Sequence, residues 1–135
     1  MYRNAVQHRV IYADTDQMGV AYYGNYARFF EIGRTEALRD LGIVYAELEK
    51  TGIIMPVTRM NIKYLRPLLY DELITIITRI EEFPNRIIVF HHELKNDKGD
   101  LLCEAEVHLA FADVKTKKAG RTPALIQEKL RRFFR

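Results

Sequence analysis

The sequence predicts an α+β fold in which a five-stranded antiparallel sheet wraps around one long central helix. Three observations carry this. A single long amphipathic helical pattern lies near the N-terminus, and four consecutive runs rich in Ile, Val, Thr and Tyr follow it. The connections between those runs are short, which forces antiparallel neighbours wherever successive strands pair. With 135 residues, 48% hydrophobic and 29% charged, the chain suits one globular domain with a substantial core. No repeat or low-complexity run divides it, so residues 1–135 read as a single domain.

Taken in order, residues 6–14 alternate Val6, His8, Val10 and Tyr12 against Gln7, Arg9 and Ala13, as a half-buried strand does. The period then changes. Tyr26, Phe29, Phe30, Gly33, Ala37, Leu38 and Leu41 share one helical face, which predicts a helix over 24–41. Asn25 or Gly24 could cap its start, and Gly42 sits where a left-handed residue would end it. Gly33, inside the apolar face, costs roughly 1 kcal/mol of helix propensity. It marks a close approach of the helix to another backbone. Glu31 and Arg34 are expected to form an exposed pair three residues apart. A short second helix is expected over Tyr45–Lys50, ending at Gly52.

The strand runs are 53–65, 72–82, 86–96 and 101–114. Arg66-Pro67 with Tyr70-Asp71, then Pro84-Asn85, then Asn96-Asp97-Lys98-Gly99-Asp100 separate them as turns, the last a hairpin. Thr122-Pro123 reads as the N-cap and first residue of an amphipathic C-terminal helix over 123–134. Long strands left at a sheet edge invite pairing with another subunit, so a homo-oligomer is expected.

Charge and cysteine content narrow the function classes. The net charge of +3 is uneven: Lys115–Arg135 holds eight Lys or Arg against one Glu, a local charge of +7. Such a basic end suits an anionic contact, with cofactor phosphates, an acidic carrier protein and a lipid surface as candidates. Nucleic acid ranks last, because no strand face interleaves aromatic with basic residues. No apolar stretch approaches the roughly 18 residues a membrane span needs. The first nine residues lack a signal-peptide core, so a cytoplasmic location is expected. The single Cys103 allows neither an internal disulfide nor a multi-cysteine zinc site, and no metal is expected.

The segment between the first strand and the long helix carries the chemistry. It reads Asp14-Thr15-Asp16-Gln17-Met18-Gly19-Val20-Ala21-Tyr22-Tyr23-Gly24-Asn25-Tyr26. A helix N-terminus presents unpaired N–H groups that can polarise a carbonyl and stabilise an oxyanion. A carboxylate just upstream could attack that carbonyl or activate water against it. Acyl transfer then needs no metal, serine or cysteine. Asp14 could share a proton with Asp16, but an aspartate in this position more often ties down a turn.

The pattern Val10-x-Tyr12-x-Asp14-Thr15-Asp16-x-x-Gly19-x-x-Tyr22-x-x-x-Tyr26, with Phe29, Phe30, Glu31, Arg34 and Glu36, resembles the 4-hydroxybenzoyl-CoA thioesterase family. It is most similar to the Tol–Pal-associated acyl-CoA thioesterase (YbgC-like) branch. The resemblance continues through Pro56-Val57, Met60, Ile62, Tyr64, Pro67, Tyr70-Asp71-Glu72-Leu73 and Cys103-Glu104-Ala105-Glu106-Val107. It implies a hot-dog fold and hydrolysis of an acyl-CoA, with coenzyme A as part of the substrate and no other cofactor. It also implies dimers or tetramers with sites at the subunit interface. The catalytic role falls on Asp16, and the backbone N–H that polarises the thioester falls on Tyr23. Many members of the branch carry His at the position of Tyr23; a backbone donor survives that difference. Arg86, Lys117 and Lys118 are the implied contacts for the coenzyme phosphates. A rival reading is a non-catalytic acyl-CoA or acyl-carrier-protein binding module on the same fold.

Overall fold

The computed structural model describes residues 1–135. In chain order it contains β1 (Tyr2–Arg9), α1 (Tyr26–Asp40), α2 (Tyr45–Lys50), β2 (Ile53–Ile54), β3 (Val57–Tyr64) and β4 (Leu73–Ile80). There follow β5 (Ile87–Lys95), β6 (Leu101–Asp113), β7 (Ala119–Gly120) and α3 (Ala124–Leu130). All seven strands form one antiparallel sheet, in which β1, β4, β5, β6 and β3 are the long members. The short β2 and β7 pair with the far end of β6. The run 53–65 is therefore two strands rather than one. Pro56 has no N–H to give to a ladder and interrupts them, while its carbonyl still accepts the Ala110 N–H at 3.0 Å.

The long helix packs over β1, β4 and β5 and buries Tyr26, Phe29, Phe30, Ala37 and Leu38 against them. Full burial of each large side chain contributes about 1.5–3 kcal/mol. The close approach expected at Gly33 is present, but to side chains of the sheet rather than to its backbone. A Cβ there would lie 2.5 Å from Thr78 Oγ1 and 2.9 Å from Ile76 Cγ2, so only glycine fits without a shift. Gly42, at φ +87°, ends the helix as its C′ residue, its N–H donating to the Arg39 carbonyl.

Several local expectations change. Strand β1 begins at Tyr2, whose hydroxyl donates to Asp40 Oδ2 at 2.7 Å, and it ends before Tyr12, which is exposed in a 3₁₀ turn. Thr122 does not cap α3: its hydroxyl donates to the Asn85 carbonyl at 2.7 Å and so ties the chain to the β4–β5 turn. Asn25 precedes α1 without a side-chain cap, because its amide is committed to the Asp14 carbonyl at 2.9 Å. The Glu31–Arg34 pair does not form; Glu31 faces solvent while Arg34 turns inward. Phe133 and Phe134 pack half-buried on Tyr2 and Phe83, while Lys129, Arg131, Arg132 and Arg135 stay exposed. No helix is long and apolar enough to cross a membrane.

Candidate active site

The segment from Asp14 to Asn25 folds back on itself between β1 and α1. Asp16 N–H donates to the Val20 carbonyl at 2.9 Å, Thr15 bridges Ala21, and Tyr22 N–H donates to the Asp14 carbonyl at 2.9 Å. Gly19, at φ +77°, closes the tip with a conformation that L side chains rarely adopt. A second bridge joins Val20 to Leu69, so the β3–β4 connection holds the loop from outside.

Asp14 anchors this loop. It is completely buried, and its Oδ2 accepts the Ile11 N–H at 2.9 Å and the His8 Nε2–H at 3.1 Å. Its other oxygen is ion-paired with Arg28, in the first turn of α1. One carboxylate thus joins the end of β1, the loop and the start of the helix. Burial, together with the neighbouring Arg28 charge, lowers the His8 pKa, so the ring is neutral at neutral pH and its Nε2 must carry the donated proton. Sequence spacing alone points to a turn-fixing aspartate. It does not point to His8 and Arg28, which meet Asp14 only once strand and helix have packed.

Asp16, two residues on, is exposed and lines a cleft of about 380 Å³ with Tyr12, Ala13, Thr15 and Gln17. Its Oδ1 accepts the Met18 N–H at 2.8 Å, which leaves Oδ2 free of protein contacts. At the base of the same loop, Tyr23–Asn25 form a single 3₁₀ turn leading into α1. The N–H groups of Tyr23 and Gly24 meet no protein acceptor. The Tyr23 ring packs on Tyr64 at 4.8 Å between centroids, so its side chain is held aside by β3 while its N–H stays open. Exposed Met18, Tyr22, Leu65 and Leu69 surround the loop with apolar surface.

Arg86, Lys117 and Lys118 are all exposed and lie elsewhere. Tyr64, beside Tyr23, pairs with Cys103, whereas Val57 pairs with Leu109 and Ile87 with Ala110. Arg86 and the β6–β7 turn bearing Lys117 and Lys118 therefore sit at the other end of the sheet. Seven residues of strand separate the two ends, roughly 20 Å. One protomer does not bring these cations to Asp16.

Comparison with known proteins decides the family. A model described as the thioesterase superfamily matches residues 18–103. The chain belongs to the thioesterase superfamily. Within it, the chain is a member of the YbgC-like branch. It is 41% identical over 96 residues to YneP of Bacillus subtilis, named as a proposed acyl-CoA thioesterase, covering 71% of this chain and 70% of the relative. It is 33% identical over 118 residues to the acyl-CoA thioester hydrolase YbgC of Escherichia coli, covering 87% of this chain and 88% of the relative. Among solved structures, a DHNA-CoA thioesterase from Staphylococcus aureus superposes with a TM-score of 0.86 at 35% identity, covering 99% of this chain and 85% of that one. The sheet around one long helix is the hot-dog fold, and the thioesterase superfamily chain that carries it is a thioester hydrolase.

Proposed function

We propose that this thioesterase hydrolyses an acyl-CoA with Asp16 as its catalytic carboxylate and the Tyr23 backbone N–H as the donor that polarises the thioester carbonyl. The observation that carries this reading is the pair of open N–H groups, Tyr23 and Gly24, at the entrance to α1, in the same hydrogen-bonded loop as the exposed Asp16. The carbonyl oxygen would accept from Tyr23, where the positive end of the helix favours the charge developing on it. Asp16 would either attack the carbonyl carbon, giving an anhydride that water then opens, or take a proton from water as the water attacks. Both routes release the free carboxylic acid and the coenzyme A thiol, and neither calls for a metal or other cofactor.

The site so proposed needs two copies of the chain. Most residues of β3 are exposed, and the strand is an open edge of the sheet. Antiparallel pairing of β3 with the β3 of a second copy would carry the Val57 end of each subunit to the Tyr64 end of the other. Arg86, Lys117 and Lys118 of one copy would then approach the Asp16 loop of its partner, where the coenzyme phosphates need cations. The exposed cations from Lys129 to Arg135 give an acidic acyl carrier protein a face to dock on under the same reading.

Replacement of Asp16 by Asn tests the proposal. Thiol release from acyl-CoA, followed with a thiol-reactive dye, should fall by orders of magnitude in kcat with melting temperature unchanged. Normal turnover in Asp16→Asn overturns the assignment. Saturable acyl-CoA binding by the wild type without thiol release would instead favour a binding module. A panel of aromatic, short and medium-chain acyl-CoAs ranked by kcat/KM would identify the acyl group.

A further inference from the structure

A half-enclosed cavity of about 100 Å³ lies between α1, α2 and the β5–β6 part of the sheet, away from the Asp16 cleft. Its walls are apolar where Leu38, Met55, Phe90 and Leu109 meet. Arg34, Tyr45, Thr35 and Glu31 bring the polar atoms. Arg34 Nη1 is out of contact with solvent and has no hydrogen-bond partner in the protein, and no carboxylate lies within 4.0 Å of the guanidinium. Glu31 stands at the same cavity yet does not pair with it. The Tyr45 hydroxyl accepts the Met55 N–H at 3.0 Å, so its own proton remains to be given. His92, whose charge state the Arg34 charge also disfavours, is neutral and supplies no counter-charge. Arg34 is half-buried, and burial disfavours its charge while the Glu31 charge nearby favours it, so the cost falls on the enclosed Nη1, whose N–H has no acceptor. A guanidinium N–H without a partner and a hydroxyl proton still to be given, at a cavity with one apolar wall, leave a place for an added acceptor.

We infer that this cavity recognises a carboxylate carried on a short apolar stem, the carboxylate accepting from Arg34 Nη1 and the Tyr45 hydroxyl and the stem lying against Leu38, Met55, Phe90 and Leu109. A cavity of about 150 Å³ holds the six carbons of benzene, so this one, at about 100 Å³, takes the carboxylate and the first methylene, with the rest of a longer stem lying in its open mouth. The inference rests in part on the proposed function, since such a carboxylate has two sources. It is the distal end of a dicarboxylic acyl group on the thioester substrate, or it is the free acid that hydrolysis releases.

Calorimetric titration with hexanoate and with hexan-1-ol tests the pocket independently of catalysis. Hexanoate should bind the wild type about tenfold or more tightly than the alcohol, the usual worth of a charge-assisted pair. Arg34→Met, of similar volume, should abolish the difference, and Tyr45→Phe should reduce it. Ligand-free Arg34→Met should melt at or above the wild-type temperature, because it removes a half-buried charge whose enclosed Nη1 has no acceptor. Equal binding of acid and alcohol overturns the inference. So does an Arg34→Met protein that loses its subunit contact or melts far lower while hexanoate binding is unchanged. The source is read from kcat/KM. A preference for adipoyl-CoA over hexanoyl-CoA that collapses in Arg34→Met identifies a substrate carboxylate. Inhibition of hexanoyl-CoA hydrolysis by hexanoate, relieved in Arg34→Met, identifies the product. Selective hexanoate binding with no thiol release from any member of the acyl-CoA panel upholds the pocket and sinks the proposed function.

Discussion

Asp14 and Asp16 are separated by one residue, yet Asp14 is wholly buried and Asp16 is exposed. Asp14 closes the 3₁₀ turn Tyr12–Asp14 and folds back inward to accept the Ile11 N–H, whereas Asp16 lies beyond that turn in the loop and accepts only the Met18 N–H. Removing the two should have different signatures. Asp14→Ala strips the acceptor from Ile11 N–H and His8 and leaves Arg28 unpaired. Arg28 is half exposed and recovers water. The expected cost is therefore about 2–4 kcal/mol rather than the upper end for a buried pair. Activity should fall with it, because the same carboxylate sets the helix entrance against the loop. Asp16→Ala should leave urea stability within about 0.5 kcal/mol of wild type, as surface changes do. A stability loss equal to that of Asp14→Ala would show that Asp16 is structural. The Asp-Thr-Asp spacing made both residues visible in the sequence. The division of roles between them needed the positions of His8 and Arg28, which are six residues before and fourteen after Asp14 and meet it only in the fold.

The helix α1 shows the same limit for whole elements. Its extent and its buried face follow from the spacing of Tyr26, Phe29, Phe30, Ala37 and Leu38, and Gly33 announced the tight helix–sheet contact. Arg34 was not legible. Helical spacing places it on the flank, and whether it pairs with Glu31 or turns in depends on the cavity that α2 and Met55 build beside it. Thr122 failed for a related reason: a good capping residue was drawn instead to the Asn85 carbonyl of a distant turn. Gly33→Ala should destabilise the protein despite its better helix propensity. The gain is about 1 kcal/mol, while forcing Thr78 and Ile76 aside costs about 1–3 kcal/mol as overpacking does, with loss of the Thr78–His92 hydrogen bond in addition. A raised melting temperature would mean that the helix can lift off the sheet without penalty.

Beneath Gly33, His92 stacks between Phe30 and Phe90 at centroid distances of 5.1 and 6.2 Å, and its Nδ1 lies 3.0 Å from Thr78 Oγ1. Burial, helped by the Arg34 charge, lowers its pKa from 6.5 to about 3. The unfolded chain therefore binds a proton between these values that the folded chain refuses. Stability from this group is complete above about pH 6.5 and is lost as the pH falls toward 3. The slope reaches at most about 1.4 kcal/mol per pH unit. Urea midpoints measured from pH 7 to 4.5 should fall on acidification, and His92→Gln should flatten the curve. Equal slopes in the two proteins would mean that His92 is not the titrating group.

At the scale of the whole molecule, the separation of Asp16 from the basic groups is the decisive fact. The sheet keeps Arg86, Lys117 and Lys118 at the end opposite the Asp16 loop, and an open β3 edge is the feature that could unite them across a two-fold axis. Sequence reading gave the cations and the expectation of an oligomer separately. The strand register adds that one chain holds the two groups apart, so under the proposed function the cations would have to come from a second copy. Complementation between two defective homodimers tests this directly. One carries Asp16→Asn and the other carries Arg86→Ala, Lys117→Ala and Lys118→Ala together, and the two are mixed, unfolded and refolded. If each site takes Asp16 from one chain and its cations from the other, a heterodimer regains one intact site of two. Random pairing makes half the dimers heterodimers, so about a quarter of wild-type kcat/KM should return. If both parts came from the same chain, every site in the mixture would carry one lesion or the other. Activity would then stay at the average of the two parents, and the two-chain site would be abandoned.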